Sequence, residues 1–299
     1  MVNYKHNTIA LVYDFDGTLT PQPMQEYTVL PEIGIKGKSF WTKVKKESER
    51  TKGEEILTYM RLMIEMSHRE KFPVTPKSLK KLAKNIKFYP GVETYFKRIS
   101  DYIHKKYNGN IKVRHYIISA GLREIIEGTI IAKNFHKIFA SEYYFDEYQH
   151  AVFPNVIVND TLKTQFLFRI NKGVEDLNQS INKHTPYINR AIPFQNILYL
   201  GDGLTDVPCM TVTRQQGGYA IAVYKTRSQR GKKICKELLL AQRADFIAQA
   251  DFRKNSELEK LIKLAVHNMA AGIEYGKESF SQWNKYRGKE NNVNKKRKK

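Results

Sequence analysis

The chain has 299 residues, 41% of them hydrophobic, and a formal net charge of +21. This length permits one large domain or two smaller ones, with enough apolar residues to build a core. No apolar run approaches the ~18 residues of a transmembrane helix. The apolar stretch near the N-terminus breaks at Asp14, so no signal peptide is expected. The two cysteines, Cys209 and Cys235, are too few for a disulfide scaffold or a cysteine-rich metal site. We therefore expect a protein without a membrane span in a reducing, cytoplasmic setting.

The first predicted strand, about Thr8 to Tyr13, runs into the string DFDGTLT at Asp14 to Thr20. Side chains alternate across a strand, so Asp14 and Asp16 at its end project the same way, and Gly17 lets the chain turn away. Two adjacent carboxylates can hold a divalent metal through oxygen. One of them can also attack as a nucleophile while the other moves protons. Taken alone, the string is also compatible with an acidic turn after a buried strand.

About a hundred residues separate this string from the next motif, which is more than a crossover connection needs, so an insertion is predicted. Three helical patterns fill it, at Lys38 to Ser48, Glu54 to Ser67 and Pro76 to Ile86. Their apolar residues follow helical spacing. We interpret residues 21–87 as a helical cap, after which the chain re-enters the core at Phe88.

The second motif, Val113 to Gly121, is an apolar strand that ends at Ser119 and leads into a helical pattern from Leu122. A small hydroxyl residue, a glycine and a helix N-terminus together can form an anion site. Taken alone, the segment fits a helix N-cap by Ser119 better. The third segment centres on Lys163, near the start of a helical pattern and between the second and fourth motifs. Its position in the chain, and not its charge, makes this lysine a candidate functional residue.

The fourth motif is an apolar strand, Ile197 to Leu200, that runs into Gly201, Asp202 and Gly203, with Asp206 four residues further on. Glycines beside an acid at a strand end allow close approach to a metal. A plain turn remains the alternative for this segment in isolation.

The remaining patterns alternate strands and helices. Residues 138–158 predict strands with a hairpin through Asp146 to Gln149, and further strands are predicted at Tyr219 to Val223 and near Asp245 to Ile247, before a last helix from about Ser256 to Met269. This alternation predicts an α/β fold with a Rossmann-like parallel sheet and a site at the carboxyl ends of its strands.

In this order the four motifs resemble those of the haloacid dehalogenase-like superfamily, in its phosphatase branch. The set comprises DxDGT, a strand ending in Ser, a Lys and GDGxxD, and the resemblance covers about Thr8 to about Ile262. By layout the nearest subfamily is similar to phosphoserine phosphatase, which has a helical cap. The resemblance implies a discontinuous core of residues 1–20 and 88–270, the cap at 21–87, and a basic C-terminal segment at 271–299.

The resemblance also implies a Mg²⁺-dependent phosphatase that hydrolyses a small phosphate monoester through an aspartyl-phosphate intermediate. The implied roles are nucleophile and metal ligand for Asp14, general acid and base for Asp16 with its backbone carbonyl facing the metal, loop support or phosphate binding for Thr18, phosphate binding for Ser119, Gly121 and Lys163, metal binding for Asp202, and a place behind the metal for Asp206, where it orients Lys163 or a metal-bound water.

Substrate identity stays open at this point. Phosphoserine phosphatases place a glutamate nine residues after the nucleophile, and this chain has Pro23 there, with Gln25 and Glu26 close but off the spacing. Phosphoserine is therefore not implied, and mutase activity, which uses the same motifs, remains an alternative.

The positive charge suggests further alternatives. Lys285 to Lys299 carries eight Lys or Arg and one Glu without apolar periodicity, which predicts disorder from about residue 285. A positive field attracts polyanions. Two alternative functions follow: a phosphatase acting on nucleic-acid phosphate ends, or a basic, non-catalytic nucleic-acid-binding adaptor on the same fold.

Overall fold

A computed structural model describes residues 4–296, with side chains described as far as residue 286. Its centre is a seven-stranded sheet. The strands are β1 (Thr8–Tyr13), β2 (Lys112–Leu122), β3 (Lys137–Phe145), β4 (Ala151–Val156), β5 (Ile197–Gly201), β6 (Tyr219–Tyr224) and β7 (Phe246–Gln249). Their order is β4-β3-β2-β1-β5-β6-β7, and the pairs are parallel apart from β3 with the edge strand β4. The predicted α/β fold with a mostly parallel sheet is confirmed, as is the hairpin between β3 and β4.

Strand β1 lies at the centre of the sheet and is buried along its whole length. A parallel strand covered on both faces is expected to be apolar throughout, and the sequence TIALVY meets this. Its side chains alternate between two cores: Ile9, Leu11 and Tyr13 pack on one face, and Ala10 and Val12 pack on the other. The strand's carboxyl end is therefore held from both sides.

Five helices lie between β1 and the next core helix, and we call them the inserted helices. They are α1 (Met24–Tyr27), α2 (Val29–Glu32), α3 (Gly37–Thr51), α4 (Glu55–Arg69) and α5 (Pro76–Leu82). The remaining helices are α6 (Val92–Lys106), α7 (Arg123–Glu127), α8 (Lys163–Lys172), α9 (Val207–Gln215), α10 (Gln229–Leu240) and α11 (Glu257–Lys296).

The three predicted cap helices correspond to α3, α4 and α5, within a few residues at each end. Helix α5 begins with Pro76 after a capping box, in which Thr75 and Ser78 satisfy each other's backbone N–H groups. Met60 and Met63 of α4 are fully buried and pack into the core. Helices α1 and α2 have four residues each, too few to show a periodic pattern. The division into a core and a cap domain stays a prediction.

Two helices differ from their sequence patterns. The pattern from Leu122 predicts a continuous helix, whereas β2 extends through Leu122 and α7 ends at Glu127. Gly128 follows, where an added Cβ would lie 2.5 Å from the carbonyl oxygen of Lys80 in α5, so the inserted helices approach the chain closely at this point. Helix α11 continues to Lys296, past its predicted end at Met269 and into the segment predicted to be disordered. Residues 297–299 lie outside the described residues.

Two further predictions concern the membrane and the cysteines. Among residues 4–296, no helix combines the length and the apolar character that crossing a membrane requires. Cys209 and Cys235 are buried free thiols.

Candidate active site

The candidate residues gather at the carboxyl ends of three adjacent parallel strands, β2, β1 and β5. Asp14 directly follows β1, and its backbone N–H donates to the carbonyl of Leu200 at 2.9 Å, which continues the pairing with β5. Ser119 lies near the end of β2, where the pairing with β3 shifts register, and Asp202 follows β5. This edge of a parallel sheet is where ligands bind in open α/β folds.

A buried lysine links two of the acids. The ammonium nitrogen Nζ of Lys163 donates to Oδ1 of Asp14 and to Oδ1 of Asp206, each at 2.8 Å. Burial alone would lower the pKa of Lys163, but the two carboxylates outweigh it and raise that pKa. The lysine therefore stays charged and balances part of the negative charge of the site.

Asp206 is fixed by four hydrogen bonds. Its Oδ1 accepts from Lys163 and from the Tyr199 hydroxyl at 2.7 Å, and its Oδ2 accepts the backbone N–H groups of Asp202 at 3.0 Å and Gly203 at 3.4 Å. An added Cβ at Gly201 would lie 2.5 Å from the Asp206 carboxyl group, so only glycine fits there. Asp206 thus positions Lys163 and shapes the turn that carries Asp202.

Asp16 lies on the loop that leaves β1. Its Oδ1 accepts the backbone N–H of Met24 at 2.9 Å and the Thr20 hydroxyl at 3.5 Å. Burial first, and then the neighbouring Asp14 carboxylate, raise the pKa of Asp16 to about 8. A carboxyl group with such a pKa is protonated near neutral pH and can donate a proton.

Gly17 turns this loop back on itself. Its φ is +83°, in the left-handed region that favours glycine, and its N–H donates to the Thr20 carbonyl at 2.8 Å. An added Cβ at Gly17 would collide with the carboxyl group of Asp202. The glycine therefore allows the DFDGT loop and the Asp202 carboxylate to touch.

The acids form a group that suits a hard cation. Carboxylate oxygens of Asp14, Asp202 and Asp206 lie within 4.8 Å of one another. Burial raises the pKa of Asp14 to about 7, with Lys163 opposing and Asp206 adding to the rise, and burial followed by Asp206 also raises that of Asp202. An all-oxygen set with few protein ligands fits Mg²⁺. Since both Asp206 oxygens already accept hydrogen bonds, Asp14 and Asp202 are the better candidates for ligands.

The predicted phosphate-binding residues lie around Asp14 and Asp16. Ser119 is buried and its hydroxyl oxygen accepts the backbone N–H of Gly121 at 3.0 Å. An added Cβ at Gly121 would collide with the Met24 side chain and lie 3.1 Å from Oδ2 of Asp16. The hydroxyl of Thr18 is buried without a hydrogen-bond partner.

In this structure Thr20 supplies the side-chain hydrogen bonds that hold the DFDGT loop. Its hydroxyl donates to the Gln22 carbonyl at 2.9 Å, in addition to its longer contact with Asp16. The roles predicted for Thr18, Ser119 and Gly121 remain predictions.

Sequence reasoning missed three residues that shape the site. Tyr199 donates to Asp206, Met24 binds Asp16 through its backbone N–H, and the Tyr59 hydroxyl donates to the carbonyl of Ala120 at 3.0 Å, which ties α4 to the second motif. For Tyr199 a signal exists, because a tyrosine in a fully buried strand needs a partner for its hydroxyl. Met24 and Tyr59 contact the site only through the tertiary fold, which carries no local signal.

Glu26 and Gln25 lie close to the position at which phosphoserine phosphatases place a glutamate, and the structure shows what each contacts. Glu26 accepts a hydrogen bond from Nε1 of Trp41 at 3.0 Å and packs against Gly37, so it contributes to packing among the inserted helices. Its neighbour Gln25 is buried, and its Oε1 has no hydrogen-bond partner.

The fold is shared with solved structures of a hydrolase and of phosphoserine phosphatases. A haloacid dehalogenase family hydrolase of Salmonella enterica serovar Typhi matches with a TM-score of 0.54 and 16% identity, over 82% of this chain and 68% of that one. A phosphoserine phosphatase with an analogue of the phospho-aspartyl intermediate matches with a TM-score of 0.53 and 18% identity, over 86% and 99%. A probable phosphoserine phosphatase of Vibrio cholerae matches with a TM-score of 0.53 and 10% identity, over 92% and 68%. The chain thus has the haloacid dehalogenase-like fold in its phosphoserine-phosphatase-like form, as predicted.

One known protein is similar to this chain in sequence over most of its length. An uncharacterised protein of Borreliella burgdorferi is 30% identical over 282 residues, which is 86% of this chain and 96% of the relative. The chain therefore belongs to the same family as this Borreliella protein. No protein-family model matches the chain.

Proposed function

We propose that the protein is a Mg²⁺-dependent phosphatase that hydrolyses a small phosphate monoester through an aspartyl-phosphate on Asp14. The observation that carries this proposal is the contact of Asp14 with Lys163, beside Asp16, at the carboxyl end of the central strand. The shared fold with phosphatases supports it. The Borreliella relative is an uncharacterised protein, so the proposed chemistry rests on the site itself.

Asp14 is the proposed nucleophile. Its carboxylate attacks phosphorus, forms the aspartyl phosphate and breaks the bond to the alcohol oxygen. The Lys163 ammonium lies 2.8 Å from Oδ1 of Asp14, close enough to offset charge on both the carboxylate and the equatorial phosphoryl oxygens. We propose that Ser119, whose hydroxyl oxygen accepts the Gly121 N–H, binds the same oxygens.

Asp16 is the proposed acid and base. Its raised pKa of about 8 keeps it protonated near pH 7, so it can give its proton to the departing alkoxide. The resulting carboxylate then takes a proton from the water that attacks the aspartyl phosphate, which releases inorganic phosphate and regenerates both acids.

Asp14 and Asp202, with the backbone carbonyl of Asp16 as the family resemblance implies, would hold Mg²⁺. When bound, the ion would supply positive charge that stabilises the phosphoryl oxygens and keeps the Asp14 and Asp202 carboxylates ionised. Asp206 would act behind this site through its bonds to Lys163 and to the backbone of Asp202.

The inserted helices favour a small substrate. Met24, Gln25 and Tyr59 are nearly fully buried where they meet the DFDGT loop and the second motif. A buried amide oxygen without a partner is unfavourable, and Oε1 of Gln25 is such an atom. We infer that Gln25 accepts a hydrogen bond from a hydroxyl or amine of the substrate alcohol.

A phosphate-release screen tests the proposal. It compares small phosphate esters with 3′- and 5′-phosphorylated oligonucleotides, with Mg²⁺ and with EDTA, and uses Asp14→Asn as the background control. We expect Mg²⁺-dependent release from one or more small esters and none from the variant. Phosphate release from oligonucleotide ends alone would contradict the proposal that the substrate is small. If no ester released phosphate, the proposal that the protein is a phosphatase would be contradicted.

A further inference from the structure

A cavity lies at the amino ends of the parallel strands, at the opposite edge of the sheet from Asp14. It has a volume of about 570 Å³, and its lining includes residues that precede three parallel strands: His6 before β1, Asn196 before β5 and Gly217 before β6. Strand β1 has six residues, and at about 3.3 Å per residue it separates the cavity from Asp14 by roughly 20 Å. The cavity therefore does not belong to the candidate active site.

The walls of this cavity are aromatic. Tyr4, Tyr187, Tyr219, Tyr275, Phe280 and Trp283 all line it. Tyr187 and Tyr275 are 53% and 79% exposed, although large exposed aromatics are uncommon on a surface that contacts only water. The ring centroids of Phe280 and Trp283 lie 6.3 Å apart at 28°. A volume within the range of small-molecule sites and planar aromatic walls suit a flat ring system.

His6 lines the cavity and carries a polar ring atom that has no partner in the protein. The side chain is more than nine-tenths buried, and its Nε2 has no hydrogen-bond partner. Burial lowers the pKa of His6, while ring hydrogen bonds to the carbonyls of Tyr187 and Arg190 oppose that shift. A ring nitrogen of neutral histidine donates or accepts one hydrogen bond, depending on the tautomer. Nε2 is therefore suited to a polar group at the edge of a heteroaromatic ring.

The charge at the cavity is positive. Lys5 lines it, and among the described residues that line it there is no aspartate or glutamate. The whole chain carries a net charge of +21. This charge favours an anionic ligand over a neutral or cationic one.

Gly272 keeps the cavity open. It lies within helix α11 and lines the cavity, and an added Cβ would have no atom within 4 Å. Packing therefore does not require glycine there, although glycine is unfavourable inside a helix. A larger side chain at this position would occupy the cavity and would disturb no contact of the fold.

We propose that this cavity binds a nucleobase that carries phosphate, stacked against the aromatic walls and hydrogen-bonded to Nε2 of His6. Base stacking on aromatic side chains together with a basic surface is the usual way that proteins bind unpaired nucleotides. The nucleobase can come from a free nucleotide or from a single-stranded nucleic acid, since both present the same ring and the same negative charge.

Equilibrium binding to the full-length protein in EDTA tests this proposal. The probes are nucleoside 5′-monophosphates, a short single-stranded oligonucleotide without terminal phosphates, and inorganic phosphate. EDTA removes the metal on which turnover is proposed to depend, so the result does not depend on the proposed phosphatase activity. We expect saturable binding of the nucleotide or the oligonucleotide, and inorganic phosphate should not compete.

Two variants and a matched control complete the experiment. Gly272→Leu fills the cavity, and His6→Phe keeps an aromatic ring but removes Nε2. Each should weaken binding about tenfold or more, the effect of losing about 1.4 kcal/mol. Ala271→Leu adds the same side chain one residue away, outside the cavity, and should bind like the wild type. Gly272→Leu should melt no lower than the wild type.

The relative affinities of the probes distinguish a free nucleotide from a nucleic acid as the ligand. Tighter binding of the oligonucleotide would identify nucleic acid as the source, and equal or tighter binding of a mononucleotide would identify a free nucleotide. The proposal is overturned if no probe binds at millimolar concentration, if inorganic phosphate competes fully, or if Gly272→Leu and Ala271→Leu bind equally well.

Discussion

Replacement of Lys163 by methionine should destabilise the protein and abolish its activity together. Lys163 is 1% exposed and donates to Asp14 and Asp206, at 2.8 Å each. Methionine has a similar length but no charge, so it leaves two buried carboxylates without their cation. Removing one partner of a buried ion pair costs about 3–5 kcal/mol, and here one cation serves two acids. We therefore expect the free energy of unfolding to fall by at least about 3 kcal/mol.

This loss should depend on pH. In the wild type the pKa of Asp14 is already raised from 3.8 to about 7, so protonation of Asp14 stabilises the folded state. This stabilisation is fully present below about pH 4 and is lost as the pH rises through about 7. Without Lys163 the folded-state pKa of Asp14 rises further, because the opposing ammonium is gone. The variant's loss of stability should therefore be small near pH 5, where Asp14 is protonated, and largest near pH 8.

Urea unfolding of metal-free protein at pH 5.5 and pH 8 measures this effect. Lys163→Arg keeps the charge and should lose less stability than Lys163→Met at pH 8. Lys133→Met removes an exposed lysine from the surface and should change little at either pH. An equal deficit at the two pH values, or a loss no larger than that of Lys133→Met, would refute the reasoning about buried charge.

Three further predictions concern single side chains. Asp16→Asn should slow the hydrolysis of esters with poor leaving groups more than that of esters with good ones, because protonation of the alkoxide matters most for poor leaving groups. Equal losses of steady-state rate for both kinds of ester would show that Asp16 is not the acid. Asp202→Ala should raise the Mg²⁺ concentration required for half-maximal activity, measured by titration, and an unchanged requirement would exclude it as a ligand. Gln25→Leu should raise KM with a smaller effect on kcat if its free oxygen binds the substrate alcohol, whereas a fall in kcat alone would argue for a different role.

The sequence predicts the sheet and the positions of the acids well because each motif is a local event. An apolar run followed by Asp14 or by Gly201 and Asp202 marks a strand end, and parallel strands bring their carboxyl ends to one edge. The approach of Lys163 to Asp14 could be suggested only by its place between motifs and by the family resemblance, since 149 residues separate the two in the chain.

Contacts that depend on the tertiary fold were not predictable. The bond from Tyr59 to Ala120 joins residues 61 positions apart, and no local pattern encodes it. The helix after the second motif was predicted too long because Gly128 meets the carbonyl of Lys80, which the sequence does not reveal. Helix α11 was predicted too short because its later apolar residues are sparse, although Ile273 is buried and Phe280 packs near Tyr4.

The covalent step at Asp14 is the central claim, and trapping the intermediate tests it most directly. The protein is mixed with Mg²⁺ and the best ester from the screen, quenched during turnover, and treated with borohydride, which reduces an acyl phosphate to the alcohol. Mass spectrometry of the digested chain should then find homoserine in place of Asp14, and Asp14→Asn should show neither this product nor phosphate release. Turnover with an unmodified Asp14, or the reduced product at another carboxylate, would contradict the account.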